Sequence, residues 1–366
     1  MSDPDRRATR AAQVVAGLAA EHVDALVVTS LPNIRWLTGF SGSNAVLLVT
    51  PHERVLCTDF RYETQAADEV GPAARVVIES QSLWTALWRE LAKASSLETV
   101  GFESAHLIHR DFARLLDPQQ GGRWQWRPVL DAVERHRAVK DAREVSDISV
   151  AARMAETALQ ATLARVHPGM TELAICGVLE HALREAGSET APFEPIVASG
   201  PRSALPHARA SDRPWGRGEL LLLDFGARYR GYVSDLTRVA VAGAPDARQR
   251  EVHAVVAGAN AAATAAVTAG MTGRDADAVA RRYIAEAGFG EAFGHSLGHG
   301  IGLEVHEAPR LAKTAEDPLP AGAVVTIEPG IYLPGWGGIR VEDDVVLTPT
   351  GATVLTHAPR DLLLVD

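Results

Sequence analysis

The sequence predicts an α/β protein of two domains, the second of which is built from two similar halves. Its 366 residues exceed an ordinary single domain and suffice for two hydrophobic cores. Aliphatic, β-branched runs alternate with Ala-rich stretches, as strands and helices do in α/β folds. A Gly-Met-Thr sequence opens two segments of equal length in the second part of the chain, which indicates an internal repeat.

The first part of the chain is predicted to be an α/β domain that begins with an Ala/Val-rich helix. Between 131 and 147 the chain becomes dense in charged residues, which suits a linker that runs into an exposed helix start. We therefore divide the chain into domains 1–137 and 138–366. The strands of the first domain are expected to include 25–29, 45–49 and 54–58.

The second part repeats one order of elements. Segments 169–187 and 270–288 are each expected to form a helix that Thr caps and Gly ends. A long Ala-rich helix precedes each segment, and an apolar strand follows it with one acid at the strand end and a second acid after a hairpin. This shared order predicts a pseudo-twofold domain that contributes two acids from each half. The acids are Asp224 with Asp235, and Glu328 with Glu342.

These four acids predict a metal site. Carboxylates that follow apolar strands should be partly buried, and unpaired they would repel one another. Arg238 and Arg340 are close in sequence, but two arginines do not neutralise four acids beside a histidine cluster at His295, His299 and His306. Carboxylates with an imidazole suit a pair of Mn²⁺, Co²⁺ or Zn²⁺ ions. Such a pair activates water and polarises a carbonyl, as amide hydrolysis requires.

Composition and charge narrow the possible partners. A formal charge of -10 and the lack of a dense Lys/Arg run argue against nucleic acid or an anionic membrane. The N-terminus is polar and no apolar run reaches the length of a membrane span, so a cytoplasmic location is expected. Cys57 and Cys176 are far apart in sequence and are expected to be reduced and structural.

Several motifs of the second domain occur together in one known family. In chain order they are Leu223-Asp224-Phe225-Gly226, Ser234-Asp235-Leu236-Thr237-Arg238, Gly298-His299-Gly300-Ile301-Gly302, Val305-His306-Glu307, Glu328-Pro329-Gly330-Ile331-Tyr332 and Gly338-Ile339-Arg340-Val341-Glu342-Asp343. They resemble the metallopeptidases of the pita-bread fold, which include methionine aminopeptidase, Xaa-Pro aminopeptidase and Xaa-Pro dipeptidase. Segments 33–43 and 58–62 are similar to the N-terminal domain of the proline-specific members and of creatinase. The resemblance implies a creatinase-like N-terminal domain before a pita-bread catalytic domain of compact bacterial type.

The resemblance also implies the metal ligands. Asp224 is similar to the acid that chelates one metal, and Asp235 and Glu342 are similar to the acids that bridge both. His299 and Glu328 resemble the ligands of the second metal. The implied cofactor is a pair of divalent ions, with Mn²⁺ expected first.

Further roles follow from the same resemblance. Glu328 would act as general base, and His306 would stabilise the tetrahedral intermediate. His207 would bind substrate or shuttle protons, and His295 would line the proline site with His306. Tyr332 and Arg340 resemble residues that orient the bridging acids. Glu307 has no implied role, so its replacement by Gln is expected to be mild.

The implied activity is that of an Xaa-Pro aminopeptidase, which uses a metal-bridging hydroxide to release the first residue from peptides with proline second. The sequence 293–296 looks like compact bacterial aminopeptidase P and favours this interpretation. The alternative is an Xaa-Pro dipeptidase, which needs a cation for the proline carboxylate; Arg35, Arg61 and Arg202 are candidates. A non-catalytic binding module is a remote alternative, because no ligand position is lost. Family members are commonly dimers or tetramers, so a homodimer or tetramer is expected.

Overall fold

The chain divides into two units, Met1–Arg137 and Ala138–Asp366. The computed structural model describes residues 3–117 and 122–366. Among these residues, no helix combines the length and the apolar character that a membrane span requires. Cys57 is a buried free thiol and Cys176 a half-buried one, as the sequence predicts.

The first unit contains a mixed six-stranded sheet. Its strands are β1 (Ala25–Val28), β2 (Ala45–Val49), β3 (Arg54–Asp59), β4 (Arg75–Glu79), β5 (Thr99–Glu103) and β6 (Gln125–Val129). Its helices are α1 (Asp3–Leu18), α2 (Leu31–Thr38), α3 (Glu63–Val70), α4 (Leu83–Lys93), α5 (His109–Leu115) and α6 (Glu134–Arg137). The sheet order is β4-β3-β2-β1-β5-β6, and β2 runs antiparallel to both of its neighbours. The strands β1 and β2 are buried on both faces, which explains their unbroken apolar sequences.

The second unit contains two helix pairs and two main sheets. Its helices are α7 (Ala142–Leu163), α8 (Glu172–Glu185), α9 (Ala247–Ala266) and α10 (Gly273–Glu286). Its strands are β7 (Ile196–Ser199), β8 (Leu220–Phe225), β9 (Arg228–Tyr229), β10 (Tyr232–Val233), β11 (Leu236–Ala242), β12 (Gly298–Gly300), β13 (Glu307–Leu311), β14 (Val324–Ile327), β15 (Gly330–Leu333), β16 (Gly337–Arg340), β17 (Asp343–Thr348), β18 (Gly351–Val354) and β19 (Leu363–Val365).

Local signals set the ends of the helices as the sequence predicts. The Thr171 hydroxyl accepts a hydrogen bond from the Ala174 amide, and α10 begins in the same way at Thr272. Gly187 and Gly288 follow the two helices with φ of 96° and 86°, a conformation that glycine adopts without strain.

The two halves of the second unit share one sheet plan. One sheet has the order β19-β11-β8-β7 and the other β13-β12-β14-β17-β18. In each, the acid-bearing strand, β8 or β14, pairs antiparallel with the strand after the hairpin, β11 or β17. The ribbons β9–β10 and β15–β16 are the predicted hairpins. The predicted fold class, with its pseudo-twofold second domain, is confirmed.

Candidate metal centre

The four predicted acids converge because each lies where a core strand meets a hairpin. Asp224 is part of β8, whereas Glu328 directly follows β14. Asp235 directly precedes β11, and Glu342 directly precedes β17. All four line one cavity of about 720 Å³. The other predicted residues that line this cavity are His207, His295, His299, His306 and Arg340.

Hydrogen bonds between the two halves fix Asp235 and Glu342. The Asp235 amide donates to the Asp344 carboxylate over 3.0 Å. The Glu342 amide donates to the Thr237 carbonyl over 3.3 Å, and the Thr237 hydroxyl donates to the Glu342 carboxylate. Each half therefore holds the acid of the other half at the same point.

A metal ion fits the donor atoms at this point. Asp235, His299 and Glu342 each offer a ligand atom, and the three atoms lie within 4.8 Å of one another. Glu328 Oε1 lies 3.4 Å from His299 Nε2. Within the described ranges, Asp235 Oδ1 and Glu342 Oε1 are buried without any hydrogen-bond partner. Buried oxygens normally have partners, so these two are available to a cation.

The electrostatics of the site also favour a cation. Burial, together with the charges of Glu342 and Asp224, raises the pKa of Asp235 well above its usual range. Burial and the charges of Glu328 and Asp224 do the same to the pKa of Glu342. The pKa of Glu328 rises to about 8, because burial outweighs the opposing charge of Arg340. These acids are therefore costly to ionise together without added positive charge.

His299 is neutral rather than an ionic partner of these acids. Burial, reinforced by the nearby His306 ring, lowers the pKa of His299 to about 4. The two imidazole centroids are 4.2 Å apart. The neutral imidazole is the form that ligates metals, so His299 is ready to do so.

Arg340 contacts Asp224 directly. Its Nη2 donates to the carboxylate of Asp224, which is neither of the two acids that it is predicted to orient, Asp235 and Glu342. Its Nε donates to the Thr237 hydroxyl over 3.1 Å, so it reaches Glu342 only through Thr237. The orientation of Glu342 and Asp235 by Arg340 stays a prediction. The contact with Asp224 arises because β16 runs beside β8, where Asp224 lies.

Tyr332 belongs to the same hydrogen-bond network as Arg340. Its hydroxyl accepts from Arg340 Nη1 over 2.6 Å and lies 2.9 Å from His295 Nε2. It therefore links Arg340 to His295 and makes no hydrogen bond to Asp235. Burial, with the adjacent Arg340 charge, lowers the pKa of His295 to about 4, so this imidazole is neutral at pH 7.

Arg238 does not neutralise the site either. It forms a buried ion pair with Asp343 at 2.8 Å and donates to the carbonyls of Thr237 and Glu342. It thus fixes the backbone next to Asp235 and at Glu342, and its charge faces Asp343, which also pairs with Arg360 over 2.6 Å. The Arg238–Asp343 ion pair and the contacts of the Thr237 hydroxyl were not predicted from the sequence, although all three residues lie in the motifs given above.

Glu307 is part of a second buried ion pair. Lys140 Nζ lies 2.6 Å from Glu307 Oε1, and the two side chains are only 1% and 6% exposed. Glu307 directly follows His306 and opens β13, so the pair fixes the chain beside that histidine. The mild effect of Glu307→Gln on turnover stays a prediction, but a loss of stability is expected because the variant leaves a buried ammonium without its carboxylate.

The site and the two-halved α/β domain define a metal-dependent enzyme of known type. Residues 146–349 match the sequence model of Metallopeptidase family M24, and residues 10–139 match the Creatinase/Prolidase N-terminal domain. The chain belongs to metallopeptidase family M24. The resemblance drawn from the sequence motifs is thus confirmed.

Named relatives cover nearly the whole chain. An Xaa-Pro dipeptidase of Pyrococcus horikoshii is 33% identical over 93% of this chain and 95% of that protein. The structure of an Xaa-Pro dipeptidase from Bacillus anthracis matches with a TM-score of 0.94 at 35% identity, over 98% of this chain and 99% of that one. The structure of an X-Pro aminopeptidase from Thermotoga maritima matches with a TM-score of 0.89 at 38% identity, over 97% and 99%.

We predict that the buried acids of the cavity stabilise the metal-free protein less as the pH rises from 5 to 8. The raised pKa values of Asp235, Glu328 and Glu342 mean that these three acids bind more protons in the folded state than in the unfolded state in this range. The stabilisation that protonation of these acids provides is complete below about pH 4, which is their pKa in the unfolded state. It is lost as the pH rises towards 8. Added Mn²⁺ should therefore raise the melting temperature more at pH 8 than at pH 5. Melting curves with chelator and with Mn²⁺ measure this, and equal shifts at both pH values would contradict it.

We predict that Glu307→Gln lowers the free energy of unfolding by about 3 kcal/mol, since one partner of a buried ion pair is removed. Urea unfolding of the metal-free protein measures this. The control is Glu316→Gln, which removes an acid that is 63% exposed and paired with Arg274. If Glu307→Gln lowers the free energy of unfolding no more than Glu316→Gln does, the buried ion pair does not stabilise the protein as described.

Proposed function

We propose that the protein is an Xaa-Pro dipeptidase that hydrolyses the bond before proline in dipeptides. The sequence favours the aminopeptidase, and the named relatives include both activities. The observation that carries the choice is an arginine in the cavity that can bind the carboxylate at the end of a dipeptide. An aminopeptidase leaves that end of the site open.

Arg310 is this arginine. It lies on β13 directly opposite His299 of β12, so the two side chains share one face of the sheet. Arg310 lines the cavity and is exposed to solvent. Within the described part of the chain, its guanidinium has no hydrogen-bond or ion-pair partner. A free guanidinium beside the catalytic groups suits bidentate binding of a carboxylate.

The other arginines are less suited to this role. Arg202 is bound to Glu172 at 2.9 Å, and Arg340 is bound to Asp224. Arg209 lies 3.8 Å from Glu194 and is 85% exposed. Arg61 forms a pair with Asp59 inside the first unit. Arg35 also belongs to the first unit. Sequence reasoning missed Arg310 because only strand pairing brings it beside His299.

The cavity also offers a wall for the proline ring. Apolar atoms of Phe193, Ile196 and Val305 line it. Proline has no amide hydrogen, so a subsite for it needs apolar surface rather than an acceptor. His295 lies beside this wall, where its neutral ring can contact the substrate.

We assign Asp224, Asp235, His299, Glu328 and Glu342 to two divalent cations. When bound, these ions supply an activated water and a polarised scissile carbonyl. Their net charge also offsets the four carboxylates. The unpartnered oxygens of Asp235 and Glu342 support the assignment of these two acids as the shared ligands.

We assign the proton transfers to the side chains around the metals. Glu328 takes a proton from water and returns it to the proline nitrogen as the C–N bond breaks. His306, beside His299, donates a hydrogen bond to the developing oxyanion. His207 and His295 bind and orient the peptide. The oxygen of the water ends on the carboxylate of the released first residue.

We expect the Mn²⁺-loaded protein to cleave Xaa-Pro dipeptides faster than Xaa-Pro amides or Xaa-Pro tripeptides. Arg310→Gln should lower kcat/KM for the dipeptide by about 10- to 100-fold, the effect of losing a charge-assisted hydrogen bond. The uncharged dipeptide amide is the matched control, and its cleavage should change little. Faster cleavage of tripeptides, with an equal effect of Arg310→Gln on all substrates, would instead support the aminopeptidase.

We expect Asp235→Ala and Glu342→Ala to retain less than about one-hundredth of the wild-type rate, since each removes a shared ligand. Bound metal, measured by elemental analysis, should fall in both variants. The exposed acid Glu286 on α10 provides a control, Glu286→Gln, with unchanged rate and metal content. A rate above about one-tenth of wild type in either ligand variant would contradict the two-metal assignment.

The remaining expectations from the sequence stay predictions. These are the use of Mn²⁺ rather than Co²⁺ or Zn²⁺, a homodimer or tetramer, and a cytoplasmic location.

A further inference from the structure

The segment that carries His207 is tied to one buried carboxylate. Glu172, the first residue of α8, has no exposed surface. Its Oε1 accepts hydrogen bonds from the amide and hydroxyl of Ser199 over 2.8 and 2.9 Å. Its Oε2 accepts from the amide and hydroxyl of Ser211 over 3.1 and 2.7 Å. Because both ends of segment 199–211 bind the same carboxylate, the segment closes into a loop.

Arg202 extends this attachment past the histidine. Its Nε donates to Glu172 Oε2 over 2.9 Å, and its Nη2 donates to the Arg209 carbonyl over 2.5 Å. The His207 ring itself has no hydrogen-bond partner in the ranges that the structure describes. Its position in the cavity therefore depends on the backbone that Glu172 and Arg202 hold. Two groups of β16 also contact this backbone segment: the Gly338 amide donates to the Ser203 hydroxyl over 2.8 Å, and Arg340 Nη1 donates to the Pro206 carbonyl over 3.5 Å.

A second buried acid holds the segment that carries His295. Asp277 of α10 is 1% exposed, and Arg281 donates to both of its oxygens over 2.8 Å. Asp277 also accepts from the Leu297 amide over 3.0 Å. Arg281 in turn donates to the carbonyls of Phe293 and His295 over 2.8 Å. Segment 293–297 is therefore fixed at both ends.

The two attachments use the same parts of the pseudo-twofold domain. The helices α8 and α10 are the repeated, Thr-capped helices, and each supplies one acid from its N-terminal turns. A buried ion pair adds little stability over an apolar pair of similar size. Several hydrogen bonds from one carboxylate to backbone groups, however, fix where that backbone lies. Position, rather than stability, is what these buried acids supply.

We infer that Glu172 and Asp277 are positioning residues, which hold His207 and His295 respectively against the substrate. This inference rests on the proposed function, because it concerns two histidines of the same site. It goes further because it assigns a separate support to each histidine: Glu172 in the first half of the domain and Asp277 in the second half. Each support should therefore be separable from the other by mutation.

Hydrogen exchange tests the attachments without reference to activity. In the Mn²⁺-loaded protein, Glu172→Gln should speed amide exchange in 199–211 and leave 293–297 unchanged. Asp277→Asn should do the reverse. The controls are exposed acids on the same two helices, Glu185→Gln and Asp275→Asn, which should alter neither segment. The inference would be overturned if one variant sped exchange equally in both segments. It would also be overturned if neither variant sped exchange in its own segment.

Double-mutant cycles test whether each acid acts through its own histidine. We expect Glu172→Gln to lower kcat/KM about tenfold in the wild type and in His295→Ala, but by less than about threefold in His207→Ala. Asp277→Asn should show the opposite pattern. Bound metal should stay at the wild-type level throughout. An equal factor in both histidine backgrounds would mean that the acids act through the fold in general.

The milder variant Ser211→Ala keeps the inference testable if Glu172→Gln does not fold. It removes one hydroxyl from Glu172 and should speed exchange in 199–211 to a smaller extent. No effect on that segment would count against the attachment. If the wild type cleaves no Xaa-Pro substrate, the proposed function fails, yet the exchange experiment still decides the attachments. If the wild type is active but the double-mutant cycles show no coupling, the positioning inference is refuted and the proposed function stands.

Discussion

Four carboxylates converge on one cavity, and their mutual repulsion in a buried place is the constraint on which the rest of the domain depends. Asp235 and Glu342 each have an oxygen without a hydrogen-bond partner among the described residues, and burial raises the pKa of both. In the proposed metal centre, cations would remove that repulsion, and the surrounding structure holds the four acids in place. Arg340 donates to Asp224, Thr237 donates to Glu342, and the two halves exchange hydrogen bonds at Asp235 and Glu342.

The pseudo-twofold arrangement explains how such a site can be built. A strand that ends in an acid, followed by a hairpin and a second acid, brings two carboxylates to one edge of a sheet. Two such units facing each other supply four. The same repeat gives two capped helices, α8 and α10, and each has a buried acid that reaches a loop at the cavity. One structural plan thus provides both the proposed metal ligands and the proposed supports of His207 and His295.

The repeated fold and the set of residues at the cavity could be predicted from the sequence because their signals are local. Thr171 and Thr272 mark helix starts, apolar runs mark the core strands, and each acid lies at or next to the end of such a strand. Contacts across the sheet could not be predicted in this way. The pairing of Arg340 with Asp224 depends on which strands are neighbours, and the place of Arg310 beside His299 depends on strand register. Lys140 and Glu307 are far apart in sequence, so nothing local indicates that they meet.

The most direct test of the metal centre is anomalous diffraction at the manganese edge, from crystals of the protein grown with Mn²⁺. The account predicts two strong peaks, both within coordination distance, roughly 2 Å, of the carboxylates of Asp235 and Glu342. One peak should also contact Asp224, and the other His299 and Glu328. Peaks elsewhere, or none at these carboxylates, would contradict the account, because the four buried acids would then be held together by something other than metal.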